Sequence, residues 1–286
     1  MPQVDQFESV FRSAIRDVFH HADPGIHSVL VVTDLDAAGA AAFTEKVKVF
    51  AAVLGESEDQ SWTMVTGDQF RTTEELQILI EKESPDLICS YRNLHSRAWR
   101  FPHSLGEHLD IIVQRVPMPV LVVPHPEAGR AYEHALENTN VVIAATDHLS
   151  NDHALVNYAV KFTEAKGKLF LMHIEDDAVF ERYLEAISRI PTIDTEEARA
   201  SLALQLLKQP RDYVNSCVAV LREAGVPIEL KCIVEFGHHL KQYRQHIEKE
   251  SADLLVMHSK DEDQLAMHGL AYPLAIELRE IPILMI

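Results

Sequence analysis

Residues 90–107 concentrate basic and aromatic side chains in a chain that is otherwise strongly acidic. The formal net charge is −18, yet this stretch carries Arg92, His95, Arg97, Arg100 and His103. Guanidinium groups bind phosphate or carboxylate through paired hydrogen bonds. Trp99 and Phe101, which lie between the basic residues, can stack on a base or on a guanidinium plane. The pattern therefore indicates a clamp for a small anionic ligand.

The same stretch also allows a structural interpretation, which stays open at this point. The arginines can form ion pairs with the acidic surface, and the aromatic rings can pack beneath the loop. In that case the cluster contributes to stability and binds no ligand.

The histidines and the known catalytic motifs indicate neither a metal site nor an enzyme. Sixteen histidines are present, but none has HExxH or Cys/His zinc spacing. Walker A, GxGxxG and GxSxG sequences are also absent. Asp34, Asp36 and Asp147 follow apolar runs, where α/β sheets bind ligands, but aspartate there is also a common helix N-cap. We therefore expect no metal, no catalytic residues and at most a weak ATPase.

Charge and composition also limit the partners and the compartment. A strongly acidic chain repels nucleic acid and anionic membranes. The sequence has no run of about 18 uncharged apolar residues, and its N-terminus does not resemble a signal peptide. Cys89, Cys217 and Cys232 have no paired spacing, which favours free thiols in a reducing compartment. We expect a cytoplasmic protein without nucleic-acid or membrane partners.

Alternating apolar runs and helical patterns must position these residues. The runs predict strands at 28–33, 61–66, 86–90, 119–123, 140–146, 168–174, 227–234, 253–258 and 282–286. Short Val/Ile/Leu-rich runs between helices are typical of a parallel sheet buried on both faces. The predicted fold class is α/β, with flavodoxin-like or Rossmann-like parallel-sheet domains.

Three sequence blocks recur in the same order in the two halves of the chain. IEKESPDLI at 80–88 matches IEKESADLL at 247–255, and VLVVTD ending at Asp34 matches VIAATD ending at Asp147. The blocks that begin at Gly106 and Gly269 each run through a helical pattern and a proline into a last apolar strand. A repeat of this length indicates a duplicated domain. We predict an abbreviated domain at 1–126 and a full domain at 138–286.

Two further predictions concern how the halves are completed. The last strands, PVLVV and PILMI, are too apolar to remain open edges, so we expect them to pair antiparallel about a pseudo-twofold axis. Residues 1–22 have apolar side chains on one helical face. We predict that this leading helix covers sheet surface left bare by the segment that the first half lacks.

Taken together, these blocks resemble the universal stress protein family. The shared pattern is a first strand ending in Asp, then late in the domain an Asp-Leu strand, a loop, a glycine, a helix and Pro-Val-Leu-Val-Val. The resemblance implies a five-stranded parallel sheet, dimerisation through the last strand and a role in stress response. One branch of the family binds ATP or AMP through a G-x2-G-x9-G-(S/T) loop, and another branch binds no nucleotide.

Within this resemblance, the nucleotide-binding pattern is only partly present. Asp34 matches the acid that contacts the nucleoside, and Gly106 matches the last glycine of the loop. Asn93 and Ser96 stand where the first two glycines belong, and Glu107 replaces the following Ser or Thr. In the second half Asp147 and Gly269 match, but the loop HSKDEDQLAMHG carries three acids. A carboxylate repels phosphate, so we expect no nucleotide in the second half.

The resemblance therefore implies a non-catalytic universal stress protein that acts as a stress-response regulator or scaffold. Its first domain would bind a small anionic ligand through Asp34, Arg92, Asn93, His95, Ser96, Arg97, Arg100, Gly106 and Glu107. No cofactor is expected; the alternative is an ATP- or AMP-binding member with weak ATPase activity. The expected partners are that ligand or a regulatory protein. The two halves form an internal pseudo-dimer, and a further homodimer stays open.

Overall fold

The computed structural model describes residues 19–55, 60–101, 104–129, 131–146, 153–259 and 271–286. Strands of the first half in this described part are β1 (Ser28–Val32), β2 (Ser61–Val65), β3 (Leu87–Tyr91) and β4 (Val120–Val123). Those of the second half are β5 (Val141–Ala145), β6 (Lys168–Asp176), β7 (Glu229–Gly237), β8 (Leu254–Met257) and β9 (Ile283–Met285).

Helices alternate with these strands along the chain. The α-helices of the first half are α1 (Ala37–Phe50), α2 (Thr73–Glu83) and α3 (Glu107–Arg115). Those of the second half are α4 (His153–Phe162), α5 (Asp177–Ser188), α6 (Thr195–Glu223), α7 (His239–Glu250) and α8 (Ala271–Glu277). Short 3-10 helices lie at Ala52–Leu54 and Ala98–Arg100. Among the described helices, none is both long and apolar enough to span a bilayer.

All described strands belong to one sheet with the order β2-β1-β3-β4-β9-β8-β5-β6-β7. Neighbouring strands are parallel within each half. The halves meet where β4 and β9 pair antiparallel, with Leu121 opposite Leu284. The predicted α/β fold class and the predicted pairing of the last strands are therefore confirmed. The proposed domain boundaries stay a prediction.

The central strands are buried because helices cover both faces of the sheet. Every residue of β3, β4, β8 and β9 is buried. Continuous Val/Ile/Leu runs suit such strands, since both faces must be apolar. One hydrophobic cluster includes residues of both halves, so the junction at β4 and β9 is part of the core.

The repeated sequence blocks make the same contacts in both halves. The hydroxyl of Thr33 donates to the Val65 carbonyl at 3.1 Å, and that of Thr146 donates to the Met172 carbonyl at 3.1 Å. Asp86 accepts from the backbone N–H of Ser28, at the start of β1. Asp253 accepts from the N–H of Val141, at the start of β5. These aspartates connect the first strand of each half to a neighbouring strand by hydrogen bonds, so their role is structural.

The two halves differ at one sheet edge and at the N-terminus. In the second half, β7, α5 and α6 have no counterpart among the described residues of the first half. Most of the predicted leading helix, residues 1–18, lies outside the described residues. Residues 19–22 are not helical. Phe19 is buried, and its ring lies 5.7 Å from that of His153 on α4. This described end therefore packs on the second half, and the covering role of the leading helix stays a prediction.

Candidate functional site

The predicted ligand loop lies at the carboxyl ends of β1, β3 and β4. Parallel strands in α/β sheets place their ligand sites at this end. Leu94 and Leu105 are buried and anchor the loop to the core. The Asn93 N–H donates to the Leu105 carbonyl at 2.7 Å and closes the loop. The structure thus brings the predicted loop residues beside Asp34.

Asp34, the predicted nucleoside contact, has both carboxylate oxygens bonded within the chain. The Tyr91 hydroxyl donates to Oδ1. The His95 N–H donates to Oδ2 at 2.8 Å. Burial, followed by the hydrogen bond to Asp34, raises the pKa of Tyr91, so this hydroxyl keeps its proton. A nucleoside that binds Asp34 must share these oxygens with the Tyr91 and His95 donors or displace one of them.

Gly106 and Asn93 approach each other closely at the base of the loop. Gly106 has a φ of 92°, and a Cβ atom there would lie 2.6 Å from the Asn93 Cα. Asn93 has a φ of 59°, a conformation that glycine adopts most readily. The first and last predicted glycine positions therefore keep glycine-like backbones. The close approach is made to the loop itself, however, and not to a phosphate.

Helix α3 begins directly after Gly106 with an acidic first turn. Glu107 and Asp110 are the acidic residues of that turn. Carboxylates stabilise a helix N-terminus by interacting with its partial positive charge. They also oppose binding of a phosphate at the same place. The position of Glu107 therefore supports the sequence-based expectation of weakened phosphate binding.

Arg92 points to the second half of the protein. It is 4% exposed, and it donates to the carbonyls of Ile276 at 3.1 Å and Leu278 at 2.6 Å. These carbonyls lie at the C-terminal end of α8, where orphan acceptors need donors. Burial, with the nearby Arg279, lowers the pKa of Arg92 to about 9. The contacts favour a structural role for Arg92 over the predicted role in an anion clamp.

His95 is half-buried and packed among aromatic side chains. Its ring centroid lies 4.7 Å from that of Phe70, and its Nδ1 lies 3.2 Å from Nη1 of Arg71. Arginine can only donate, so Nδ1 accepts, and the imidazole is neutral with its proton on Nε2. Burial lowers the pKa of His95, which favours the neutral form. The side chain thus offers no positive charge to an anion near neutral pH.

Ser96, Arg97 and Arg100 lie on the exposed part of the loop. The Ser96 hydroxyl accepts from the Ala98 N–H at 3.1 Å and opens the 3-10 helix at Ala98–Arg100. Phe101 follows and is 63% exposed. His103 lies outside the described residues. The accessible basic groups of the predicted clamp are therefore the two arginines around this short helix.

A small cleft lies behind the loop, between the two halves. Its lining includes Arg92, Asn93, Phe101, Ser104, His125 and Arg279. The volume is about 20 Å³. A cavity of this size holds about one water molecule. Oδ1 of Asn93 is buried without a hydrogen-bond partner among the described residues, which is a place for that water. A nucleotide does not fit in the cleft as it stands.

Three residues of this site were missed at the sequence level. The Tyr91 hydroxyl donates to Asp34, and the ring centroid of His125 lies 4.9 Å from that of Tyr91. Arg279 reaches the cleft from the second half. A tyrosine at the end of an apolar strand, beside Arg92, was a usable signal for Tyr91. Nothing local marks Arg279, since the tertiary fold alone brings it to the loop.

In the second half, the predicted Asp147, Gly269 and acidic loop lie outside the described residues. Polar side chains bond strand-end carbonyls nearby. Nδ1 of His173 lies 2.8 Å from the Thr146 carbonyl, and Nε2 of His239 lies 2.7 Å from the Ile174 carbonyl. Within the described part of the chain, no group of three His, Cys, Asp or Glu side chains is arranged for a metal ion.

Comparison with known proteins finds a family match in the second half. Residues 138–268 match the model of the Universal stress protein family. No curated protein shows significant sequence similarity to the chain. A functionally unknown protein from Pseudomonas aeruginosa PAO1 has a similar structure, with 14% identity and a TM-score of 0.52. The match covers 92% of this chain and 93% of that one.

A universal stress protein from Archaeoglobus fulgidus DSM 4304 is similar as well. It has 13% identity and a TM-score of 0.50, over 91% of this chain and 97% of that one. Identities this low establish a shared fold and carry no residue roles. The predicted site residues therefore remain predictions, supported or weakened only by the contacts described above.

Proposed function

We propose that this chain, whose residues 138–268 form a universal stress protein domain, is a tandem universal stress protein. Its first half would be an abbreviated second copy. Three observations support this proposal. The strand order β2-β1-β3-β4 repeats as β6-β5-β8-β9, the two threonines and two aspartates of the repeated blocks make matching bonds, and the halves join antiparallel.

Its function is that of a non-catalytic stress-response regulator or scaffold. The observation that carries this proposal is the state of Asp34. Both of its oxygens are bonded, to the Tyr91 hydroxyl and the His95 N–H, so the acid that would contact a nucleoside already has partners. The acidic start of α3 also disfavours the phosphates of a nucleotide.

A small anion is the ligand that the first half would bind. Arg97 and Arg100 are exposed on the loop, in a protein with a net charge of −18. Their guanidinium groups favour carboxylate or phosphate. Arg92 has its donors directed at α8 and would contribute only through the position of the loop.

The alternative is an ATP- or AMP-binding protein with weak ATPase activity. One observation favours it: Phe101 is 63% exposed beside a cleft that Arg92 and Arg279 line. An exposed ring near guanidinium groups can stack on a base. In this function the nucleoside would share the oxygens of Asp34 with Tyr91 and His95 or replace one of these donors.

Calorimetric titration of the full chain with ATP, AMP and inorganic phosphate tests the proposal. We expect no saturable heat with either nucleotide, because Asp34 already has two donors in the chain and Glu107 opposes a phosphate at the start of α3. Weak phosphate binding should decrease in Arg97→Ala. Arg211→Ala removes an exposed arginine from α6 and should leave that binding unchanged.

Stoichiometric ATP binding that disappears in Asp34→Ala would support the alternative instead. Tyr91→Phe separates the two explanations further. It frees one oxygen of Asp34, so a gain of nucleotide binding in this variant shows that the tyrosine hydroxyl blocks the site. Equal phosphate heats in the wild type, Arg97→Ala and Arg211→Ala would exclude the loop as an anion site.

A further inference from the structure

Strand β7 is a long edge strand on the outer side of the second half. It pairs with β6 through nine register positions, from Lys168 opposite Glu229 to Asp176 opposite Gly237. No described strand pairs with its other side. Glu229, Lys231 and Cys232 are exposed along it. An edge with this many unpaired N–H and C=O groups is a template for another strand.

The residues whose backbone groups point outward follow from one hydrogen bond. The Glu229 N–H donates to the Gly167 carbonyl at 2.8 Å, so Glu229 faces β6. Backbone direction alternates along a strand, and the outward groups therefore belong to Leu230, Cys232, Val234 and Phe236. A second β7 that adds antiparallel must pair these residues with one another. The two-fold axis that relates the two copies then passes beside one residue of β7, which lies opposite the same residue of the second copy.

The side chains favour one of the allowed registers. With the axis beside Ile233, Lys231 lies opposite Glu235 of the second copy, and Ile233 lies opposite itself. On the other face Leu230 meets Phe236, and Cys232 meets Val234. Opposite charges and apolar pairs across strands are stabilising, whereas like charges directly opposite are destabilising.

The neighbouring registers create mismatches. An axis beside Cys232 places Glu229 opposite Glu235, and an axis beside Lys231 places two lysines face to face. An axis beside Val234 sets Ile233 against Glu235. Of these four registers, only the one centred on Ile233 places opposite charges together and apolar side chains together.

The sheet face beside this edge is also open enough to receive a second copy. Glu235 faces α7, since its Oε1 lies 3.2 Å from Nε2 of His246. A groove of about 500 Å³ lies on that side, and its lining includes Phe170, Ile233, His246 and Lys249. Ile233 of a second copy would lie over the apolar part of this groove.

We propose that β7 is a homodimerisation strand, and that two copies of the chain join antiparallel with the two-fold axis beside Ile233. The sheets of both copies then continue across the interface. This inference concerns an edge that the first half lacks and does not depend on ligand binding or on the proposed function.

Charge reversal tests the register. Lys231→Glu and Glu235→Lys each place like charges opposite each other at both symmetric positions. We expect each to raise the dimer dissociation constant about tenfold or more, as measured by sedimentation equilibrium. The double variant Lys231→Glu/Glu235→Lys restores opposite charges across the interface and should dimerise more tightly than either single variant. Lys82→Glu, an exposed reversal on α2, should have no effect.

Disulfide trapping tests the same register independently of charge. In a Cys232→Ala background, Ile233→Cys faces itself in a non-hydrogen-bonded pair with about 4.5 Å between Cα atoms, which a disulfide can bridge. Mild oxidation should crosslink this variant. Leu230→Cys in the same background lies opposite Phe236 and should not crosslink.

Three outcomes overturn the proposal. The wild type can stay monomeric at all concentrations, which means that the edge is covered within the chain or remains open. A dimer can be insensitive to both single reversals, which means that another surface forms it. Species larger than a dimer that grow with concentration indicate pairing of β7 with β2 of the next copy.

Discussion

Asp34, a predicted ligand contact, is bonded by two donors within the chain. The tyrosine hydroxyl and the His95 N–H bond the two oxygens of Asp34, and the Tyr91 ring packs against His125 and Phe43. These contacts hold the ends of β1 and β3 together, so side-chain and backbone donors of the chain itself bond the predicted ligand contact.

Gly106 gives a test of how tightly the loop is packed. Gly106→Ala introduces a Cβ 2.6 Å from the Asn93 Cα at a φ of 92°, so both strain and a backbone clash arise. Gly55→Ala is the matched control, with a φ of 91° and no atom of the described residues within 4 Å of its Cβ. We expect both variants to lose about 1–3 kcal/mol from backbone strain.

The clash should cost Gly106→Ala at least about 1 kcal/mol more than Gly55→Ala in urea-induced unfolding. Equal losses would mean that the loop moves freely away from Asn93. In that case a loop that opens for a ligand becomes the better description, and the occupied state of Asp34 carries less weight for the function.

At the scale of the elements, α3 carries a carboxylate in an unfavourable place. Asp110 is half-buried, and its Oδ1 has no hydrogen-bond partner among the described residues. Burial raises its pKa from 3.8 to about 6. Burial is the main cause that raises the pKa of Tyr272 on α8, and the charge of nearby Asp110 raises it further. The folded protein therefore favours the protonated form of the Asp110 carboxyl group.

The raised pKa of Asp110 makes the free energy of unfolding depend on pH. The unfolded chain releases the Asp110 proton near its usual pKa, below the folded value of about 6. The stability that Asp110 contributes is therefore complete below about pH 4 and is lost as the pH rises through about 6. Asp110→Asn should be more stable than the wild type by about 1 kcal/mol at pH 7, allowing for solvent screening.

Urea unfolding at pH 4 and pH 7 measures this difference. The advantage of Asp110→Asn should disappear at pH 4, where both side chains are neutral. A variant that is equally stable or less stable than the wild type at pH 7 would mean that the carboxylate has a partner when ionised.

At the scale of the whole molecule, the two halves are joined by more than the β4–β9 pair. Arg92 leaves the loop of the first half and donates to two carbonyls at the end of α8 in the second half. Phe19 to Asp23 also lie against α4 and α6, where Asp23 pairs with Lys161 at 3.0 Å. The candidate ligand loop is therefore mechanically connected to the other half of the protein.

Arg92→Met tests this connection, because it keeps the apolar stem and removes both donors. We expect a loss of about 1.5–3 kcal/mol in the free energy of unfolding, since two buried carbonyls lose charged donors. Arg97→Met, which is exposed on the same loop, should change stability by no more than about 0.5 kcal/mol. Similar small effects from both would mean that water replaces the Arg92 donors.

Much of the architecture can be read from local patterns in the chain. Each predicted strand is a short apolar run between helical patterns, and such a run has few alternatives to a buried parallel strand. The last strands, 119–123 and 282–286, were too apolar to leave unpaired, and they pair antiparallel at β4 and β9. The repeated blocks contain the same apolar runs in the same order, so they predict the same strand topology for both halves.

The state of the candidate site depends on contacts that no local pattern encodes. Arg92 is a residue type that suits an anion clamp. Its carbonyl partners, however, lie 184 and 186 residues away in the sequence, at the C-terminal end of α8. Tyr91 reaches Asp34 across 57 residues. Residue type shows what a side chain can bind, whereas the path of the loop and the position of the opposite half select the partner that it meets. Long-range packing, which joins segments far apart in the chain, therefore makes Arg92 of the predicted ligand loop part of the junction between the halves.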